Sequence, residues 1–282
     1  MKSKIYLTIL TLLFSTTALF SQKAEKIKGS GILKIAEKEI QSFTSIEVED
    51  NVEINLEKGE TSGIKIEADD NLHNVINTVV QNNVLIISTS KEAHGFKKLS
   101  VRIMYSKDLN LVTAKDESIV NAIQEIVLDN ITFKSINKSK LFLNINAGTF
   151  GLQADDKSKI ELNLKSETAF VELSKNSSLK ALINSAELKC DLYQKATANI
   201  EGDSDNTITR IDNFAELNAK NFNIKKLDLT IEGKARCSVF AESSCTIEAT
   251  DNAEINLYGN PTITIRKFSG EAKLFKKLPP KK

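Results

Sequence analysis

Two histidines, His73 and His94, and three cysteines, Cys190, Cys237 and Cys245, are all the soft ligands and thiol nucleophiles that this sequence offers. Three thiols exclude a Cys₄ zinc site, and a Cys₂His₂ site would consume nearly every candidate. A serine nucleophile raised on a strand-to-helix turn takes the form Gly-x-Ser-x-Gly, and that motif is absent. Both histidines therefore read as surface side chains. The acidic candidates are Asp155 with Asp156 and Asp203 with Asp205, with Arg210 as the nearest base. A β-helical polysaccharide lyase needs clustered aspartates for Ca²⁺ beside a Lys or Arg, and a glycoside hydrolase needs two carboxylates across a cleft. These aspartates fall at different positions of the repeat defined below, and Asp155 and Asp156 point to opposite faces if their strand extends that far. No catalytic, cofactor or metal residue is assigned on this basis.

The cations are better placed. Lys138, Lys140, Lys157, Lys159, Lys195, Lys234 and Arg236 recur at two outward positions, where stacking would make a basic ridge for phosphate or uronate groups. Lysine also keeps a β-surface soluble and blocks edge pairing, and Phe214, Glu216 and Glu254 interrupt the ridge. Aromatic residues are only 6% of the chain, with no Trp, so no flat platform for sugars is visible in the sequence.

The elements that position these side chains repeat. From residue 116 onward a polar residue or Gly, any residue, a small residue, any residue and an apolar residue recur, starting at Asp116, Asn137, Asp156, Lys175, Gln194, Asn213, Gly233, Asp251 and Gly270. The steps are 21, 19, 19, 19, 19, 20, 18 and 19 residues, a period that signals a solenoid. The third position is small in every copy, from Ser118, Ser139 and Ser158 to Ala253 and Ala272, and the fifth is mostly large and apolar, as in Val120, Leu141, Ile160 and Leu179. Strict alternation of inward and outward residues is the period of a strand with one buried face. A second strand follows in each copy, with inward columns through Ile131, Phe150, Ala169 and Leu188 and through Phe133, Leu152, Val171 and Cys190.

Such short coils leave no room for a crossover helix, whose βαβ unit needs about 30 residues. Stacking like on like predicts an all-β fold, a right-handed parallel β-helix, because parallel crossovers are right-handed in nearly all cases. At the usual strand spacing the stack is a rod of roughly 40 Å. An antiparallel barrel is the rival, but it has no need of matching side chains at this period. Cys190 and Cys245 then lie about 14 Å apart along the rod, too far for a disulfide. Cys237 and Cys245 share a coil and approach only if a corner brings them together, so all three thiols read first as small buried hydrophobes.

Residues 22–115 lack the period. Strands are expected at 43–48, 52–56, 64–66, 84–87 and 99–103. Residues 69–80, with Leu72, Val75, Ile76, Val79 and Val80 at helical spacing, predict a short helix. This part reads as a β-rich region that begins and caps the solenoid of residues 116–282. Lys2 and Lys4, the apolar run 5–14 and the small and polar stretch that follows have the order of a secretory signal peptide, residues 1–21. Without those residues the chain carries 36 basic and 37 acidic side chains, which offers no electrostatic footprint for nucleic acid. No other apolar run is long enough to span a bilayer as a helix. Only 11 Gly and 3 Pro serve a turn-rich chain, so its corners must be made by Asp, Asn and Ser.

Gly29-Ser30-Gly31, Phe43 followed by Ile46 and Val48, residues 51–54, Val101-Arg102-Ile103 before Leu109, and the ending Tyr258-Gly259-Asn260-Pro261 resemble the family described as "putative auto-transporter adhesin, head GIN domain". The resemblance covers residues 29–275 and implies a secreted or envelope protein of β-helical build from Bacteroidetes-type bacteria. It brings no catalytic residues. Many members have Gly at coil corners where this chain has Asp, Asn, Lys or Gln, which puts a glycine-type corner geometry in question. The expectation is an exported, non-catalytic scaffold of the cell envelope, an adhesin or other binder of a glycan or surface polymer, without cofactor. A polysaccharide-active β-helix lyase or hydrolase is the alternative.

Overall fold

The computed structural model describes residues 25–278, so the expected signal peptide lies outside the described residues. From Ile119–Ser135 onward, long strands stack one on the next as parallel neighbours: Lys140–Ala154, Lys159–Leu173, Ser178–Leu192, Thr197–Ile211, Glu216–Ile231 and Arg236–Ala249. The register is the sequence period itself: Leu141 pairs with Ile160, Ile160 with Leu179, and Leu179 with Ala198. The chain is a β-solenoid, with its apolar columns joined in one core that runs from Phe43 to Leu257.

The two expected strands of each coil are one continuous strand with a bend. In Lys140–Ala154 the buried residues are Leu141, Leu143, Ile145 and Ala147, then Phe150, Leu152 and Ala154. The inward side therefore changes parity at Gly148, where the chain turns a corner and keeps its ladder. Alternation alone does not show such a bend, because each half obeys the same period.

The other corner answers the question of glycine geometry. All nine residues at the first position of the repeat have positive φ: Asp116, Asn137, Asp156, Lys175, Gln194, Asn213 and Asp251 lie between 55° and 64°, Gly233 at 76° and Gly270 at 70°. The left-handed conformation is kept where glycine is not. Stacking holds it there, because the next residue's N–H donates to the corner carbonyl one coil below, as in Lys157 to Asn137 (2.6 Å), Asn176 to Asp156 (2.8 Å) and Phe214 to Gln194 (2.7 Å). Behind each of the first eight corners the small residue is fully buried, Ala272 behind the last is partly so, and Ser158 and Ser177 donate their hydroxyls to the carbonyls of Asp155 and Ser174.

A left-handed L-residue costs roughly 1–2 kcal/mol, while glycine there costs only its larger unfolded-state entropy. Gln194, at φ 63°, makes no side-chain hydrogen bond among the described residues. Gln194→Gly is expected to stabilise the protein by about 0.5–1 kcal/mol, read as a raised denaturation midpoint; an unchanged or lowered midpoint would show that the stack has removed the strain.

Residues 45–58 already follow the solenoid pattern. Ser45–Val48 pairs in parallel with Leu111–Ala114, Glu53 to Asn55 pair with Ile119 to Asn121, and Asp50 makes a left-handed corner at φ 63°. Antiparallel strands close this end: Leu33–Glu39 on Gly63–Asp69, and Gly63–Asp69 on Leu99–Tyr105. The helix expected over residues 69–80 is not formed. A single 3₁₀ turn, Asp70–Leu72, leads into the strand Ile76–Gln81, which folds back on Val84–Thr89. Asn82 and Asn83, at φ 51° and 62°, supply the two left-handed residues of a tight hairpin. The β-branched Val75, Ile76, Thr78, Val79 and Val80 then favour the strand over a helix.

Candidate functional site

The residues with chemical potential are distributed by the solenoid, and most are used by it. His73 places Nε2 3.0 Å from the Lys34 carbonyl, and His94 ends the short strand Glu92–His94, which pairs with Lys26–Lys28. The three thiols are free and buried. Burial pushes the Cys190 thiol up to about 12, with the Asp191 charge adding to the effect. Burial likewise lifts Cys245 to about 12 and raises Cys237. Thiols so far from ionisation are poor nucleophiles and poor metal ligands.

The carboxylates are corner fittings. The strand before them stops at Ala154, so Asp155 and Asp156 do not diverge to opposite faces: both reach the Lys175 ammonium, each at 2.9 Å. Burial disfavours ionised Asp155, but the Ser174 hydroxyl, Lys175 and the Asp156 N–H outweigh it and hold the carboxyl below its ordinary range. Asp205 pairs with Lys225 at 2.5 Å, and Arg210 pairs with Glu232, on different stretches of the coil. No group of three or more His, Cys, Asp or Glu side chains is gathered for a metal ion among the described residues.

The seven cations of the ridge are all on the outer surface, but they are not equivalent. Lys138 bonds Glu117 at 2.6 Å, Arg236 pairs with Glu216 at 3.6 Å, and Lys234 stands 5.7 Å from the centre of the Phe214 ring. Lys195 is separated from Lys157 and Lys159 by the coil that carries Asn176 and Ser178. Lys138, Lys140, Lys157 and Lys159 are brought together: Lys140 and Lys159 are direct register partners, and the Lys157 and Lys159 amides bond carbonyls of the coil that carries Lys138 and Lys140. Apart from Lys138, none of these four has an ion pair among the described residues. The expected ridge is therefore a two-by-two cluster with three outlying cations.

Beside the cluster runs a groove of about 800 Å³ along the solenoid axis. Its floor is the strand backbone at Leu143, Leu162 and Ala181, whose side chains point into the core. One wall is the outward column Phe142, Glu161, Lys180 and Asn199, which are register neighbours, and the other is Asn144, Asn163, Leu182 and Glu201. Phe142 is 39% and Leu182 47% exposed. Asn163 donates to Asn144 at 2.9 Å, which fixes one side of the second wall. A smaller depression lined by Lys140, Lys159, Phe142 and Lys180 joins groove and cluster on one face. Phe142, Leu182 and Lys180 were not singled out from the sequence. The available signal was a large apolar residue in an outward column, which composition-level reasoning about aromatics passed over.

Fold and face together place the chain among parallel β-solenoid proteins whose exposed chemistry lies on the outside of the stack. The sequence matches the family described as "Putative auto-transporter adhesin, head GIN domain" over residues 42–182 and 163–261, and the chain belongs to that family. No curated protein matches it. Among solved structures, a putative adhesin from Parabacteroides merdae ATCC 43184 is 19% identical, with 90% of this chain and 100% of that one covered and a TM-score of 0.69. A putative adhesin from Parabacteroides distasonis ATCC 8503 is 18% identical, with 89% and 100% covered and a TM-score of 0.65. A protein from the same organism described as a putative lipid binding protein is 15% identical, with 90% and 100% covered and a TM-score of 0.67. At these identities the likeness is one of fold.

Proposed function

We propose that this protein is an exported, non-catalytic scaffold of the cell envelope that binds an anionic surface polymer on the outside of its solenoid, as an adhesin does. The observation that carries the reading is the cluster of Lys138, Lys140, Lys157 and Lys159, four cations on two adjacent coils with one acid, Glu117, bound to them. Lysines at coil spacing offer point charges to phosphate or carboxylate groups on a repeating polymer. The signal-peptide order of residues 1–21 and the family's description as adhesins support export, and the use of aspartates as corner ties supports a binding role over a lyase or hydrolase.

Binding to an array of envelope glycans and anionic polymers tests the reading. The variant Lys138→Glu/Lys157→Glu/Lys159→Glu is expected to lose binding at least about tenfold, since each charge near an anionic surface is worth about 1 kcal/mol. Wild-type binding should also fall steeply with salt. Binding unchanged by the triple reversal removes the cluster as the contact surface.

A further inference from the structure

The groove beside the lysine cluster has features that a cluster of surface cations does not require. Its floor is the strand backbone over the inward column, one wall opens with the exposed Phe142 ring, the other carries the exposed Leu182, and the rest of both walls is built of amide, carboxylate and ammonium groups aligned along the solenoid axis. A volume of this size suits a ligand rather than a protein face, since ligand sites run to about 300–1,000 Å³. Its long axis crosses the strands, so each coil contributes one residue to each wall: Phe142, Glu161, Lys180 and Asn199 on one side. Three successive coils bring one ammonium each, Lys140, Lys159 and Lys180, none of them in an ion pair among the described residues.

We infer that the groove holds one extended acidic oligosaccharide lengthwise, a chain of the uronate type with an acid on successive rings. The inference rests on the reading of the protein as a binder of anionic polymers and assigns the ligand class and the place. A sugar ring has an apolar face and a polar rim, and the groove matches both: the Phe142 ring meets the face of one sugar, and Leu182 meets another further along. The Asn144, Asn163 and Asn199 amides and the Glu161 and Glu201 carboxylates bond ring hydroxyls, which both donate and accept. Glu201 stands in the far wall and Glu161 in the lysine wall between Phe142 and Lys180, where each accepts from a ring hydroxyl, while the ligand carboxylates lie toward Lys140, Lys159 and Lys180. A uronate chain advances by about one ring per coil, so charge meets charge repeatedly without a deep pocket. A polymer with widely spaced phosphates would engage one lysine at a time and leave the aromatic wall unused.

Titration calorimetry of the purified protein with tetragalacturonate, and with maltotetraose as an uncharged α-1,4-linked tetrasaccharide, tests this directly. Tetragalacturonate is expected to bind and maltotetraose to bind at least about tenfold more weakly. Phe142→Ala, a substitution at a half-exposed side chain, should weaken tetragalacturonate about tenfold, and Lys140→Glu/Lys159→Glu should abolish it. Hydrogen exchange on the complex should show protection confined to residues 142–144, 161–163, 180–182 and 199–201. Unchanged affinity in Phe142→Ala, with protection over Lys138 and Lys157 instead, overturns the groove and leaves the lysine reading standing. Affinity unchanged in the lysine variant as well overturns both. Failure of wild-type protein to bind tetragalacturonate, or equal binding of maltotetraose, also overturns the inference.

Discussion

Gly202→Ala is expected to cost about 3 kcal/mol or more, although it adds one methyl group to a coil in the middle of the stack. Gly202 occupies a column in which its neighbours carry large side chains, Ile183 below and Phe222 above. Its φ is 108°, outside the region that L-residues enter readily, and a Cβ there would sit 2.2 Å from the Ile183 carbonyl oxygen and 3.0 Å from its carbon. That oxygen is backbone in a parallel ladder and cannot swing away as a side-chain end could. The local cause is an extra residue in the next coil: the pairing jumps between Asn199 and Glu201, whose partners are Asn218 and Asn221. The conformation of Gly202 accommodates that bulge. Gly31 provides the control, since it also has a positive φ, 78°, but nothing lies within 4 Å of the place a methyl group would take. Gly31→Ala should cost only the conformational term, about 1 kcal/mol. The denaturation midpoints of the two variants decide the matter, and a Gly202→Ala loss no larger than that of Gly31→Ala would mean that the coil yields at the bulge.

This bulge also marks the limit of what could be read from the sequence. The step of 20 residues from Asn213 to Gly233 shows that one coil is longer, but not where the extra residue goes, because every position of an alternating strand can absorb it. The columns themselves were legible: Leu141, Ile160 and Leu179 share a character that no other arrangement requires, and the structure stacks them. The left-handed corners were not legible in Lys175 or Gln194, since neither residue favours that conformation alone and the ladder of neighbouring coils imposes it. Residues 69–80 misled for a related reason. Leu72, Val75, Ile76, Val79 and Val80 satisfy a helical period, and only the Asn82-Asn83 turn, with the strand beyond it, selects the hairpin. At the surface, Lys140 and Lys159 could be placed in one column from spacing alone. Their relation to the groove depends on how each coil bends at residues such as Gly148, and side-chain alternation does not encode that bend.

Phe150→Ala should show how far the proposed binding face depends on the core of its coil. Phe133 and Phe150 are among the largest fully buried side chains, on successive coils, with ring centres 6.2 Å apart and planes tilted by 34°. Truncating either to Ala removes a ring's worth of burial and leaves a cavity that close-packed columns on both sides cannot fill, a loss of about 3–5 kcal/mol. A tilted aromatic pair adds about 0.5–1.5 kcal/mol beyond burial, so the double variant should lose about that much less than the sum of the single losses. Phe150 shares its strand with Lys140 and Phe142, and in a solenoid each coil is held by its neighbours, so loosening is local. Hydrogen exchange should therefore rise in Lys140–Ala154 and the coils on either side, and the proposed affinity for an acidic glycan should fall with it. Leu257→Ala, at a buried position near the other end of the core, should destabilise by about 2–5 kcal/mol and leave that affinity unchanged. Equal loss of binding in Phe150→Ala and Leu257→Ala would mean that the rod responds as one cooperative body, and that the groove takes no special support from the aromatic pair farther along its first coil.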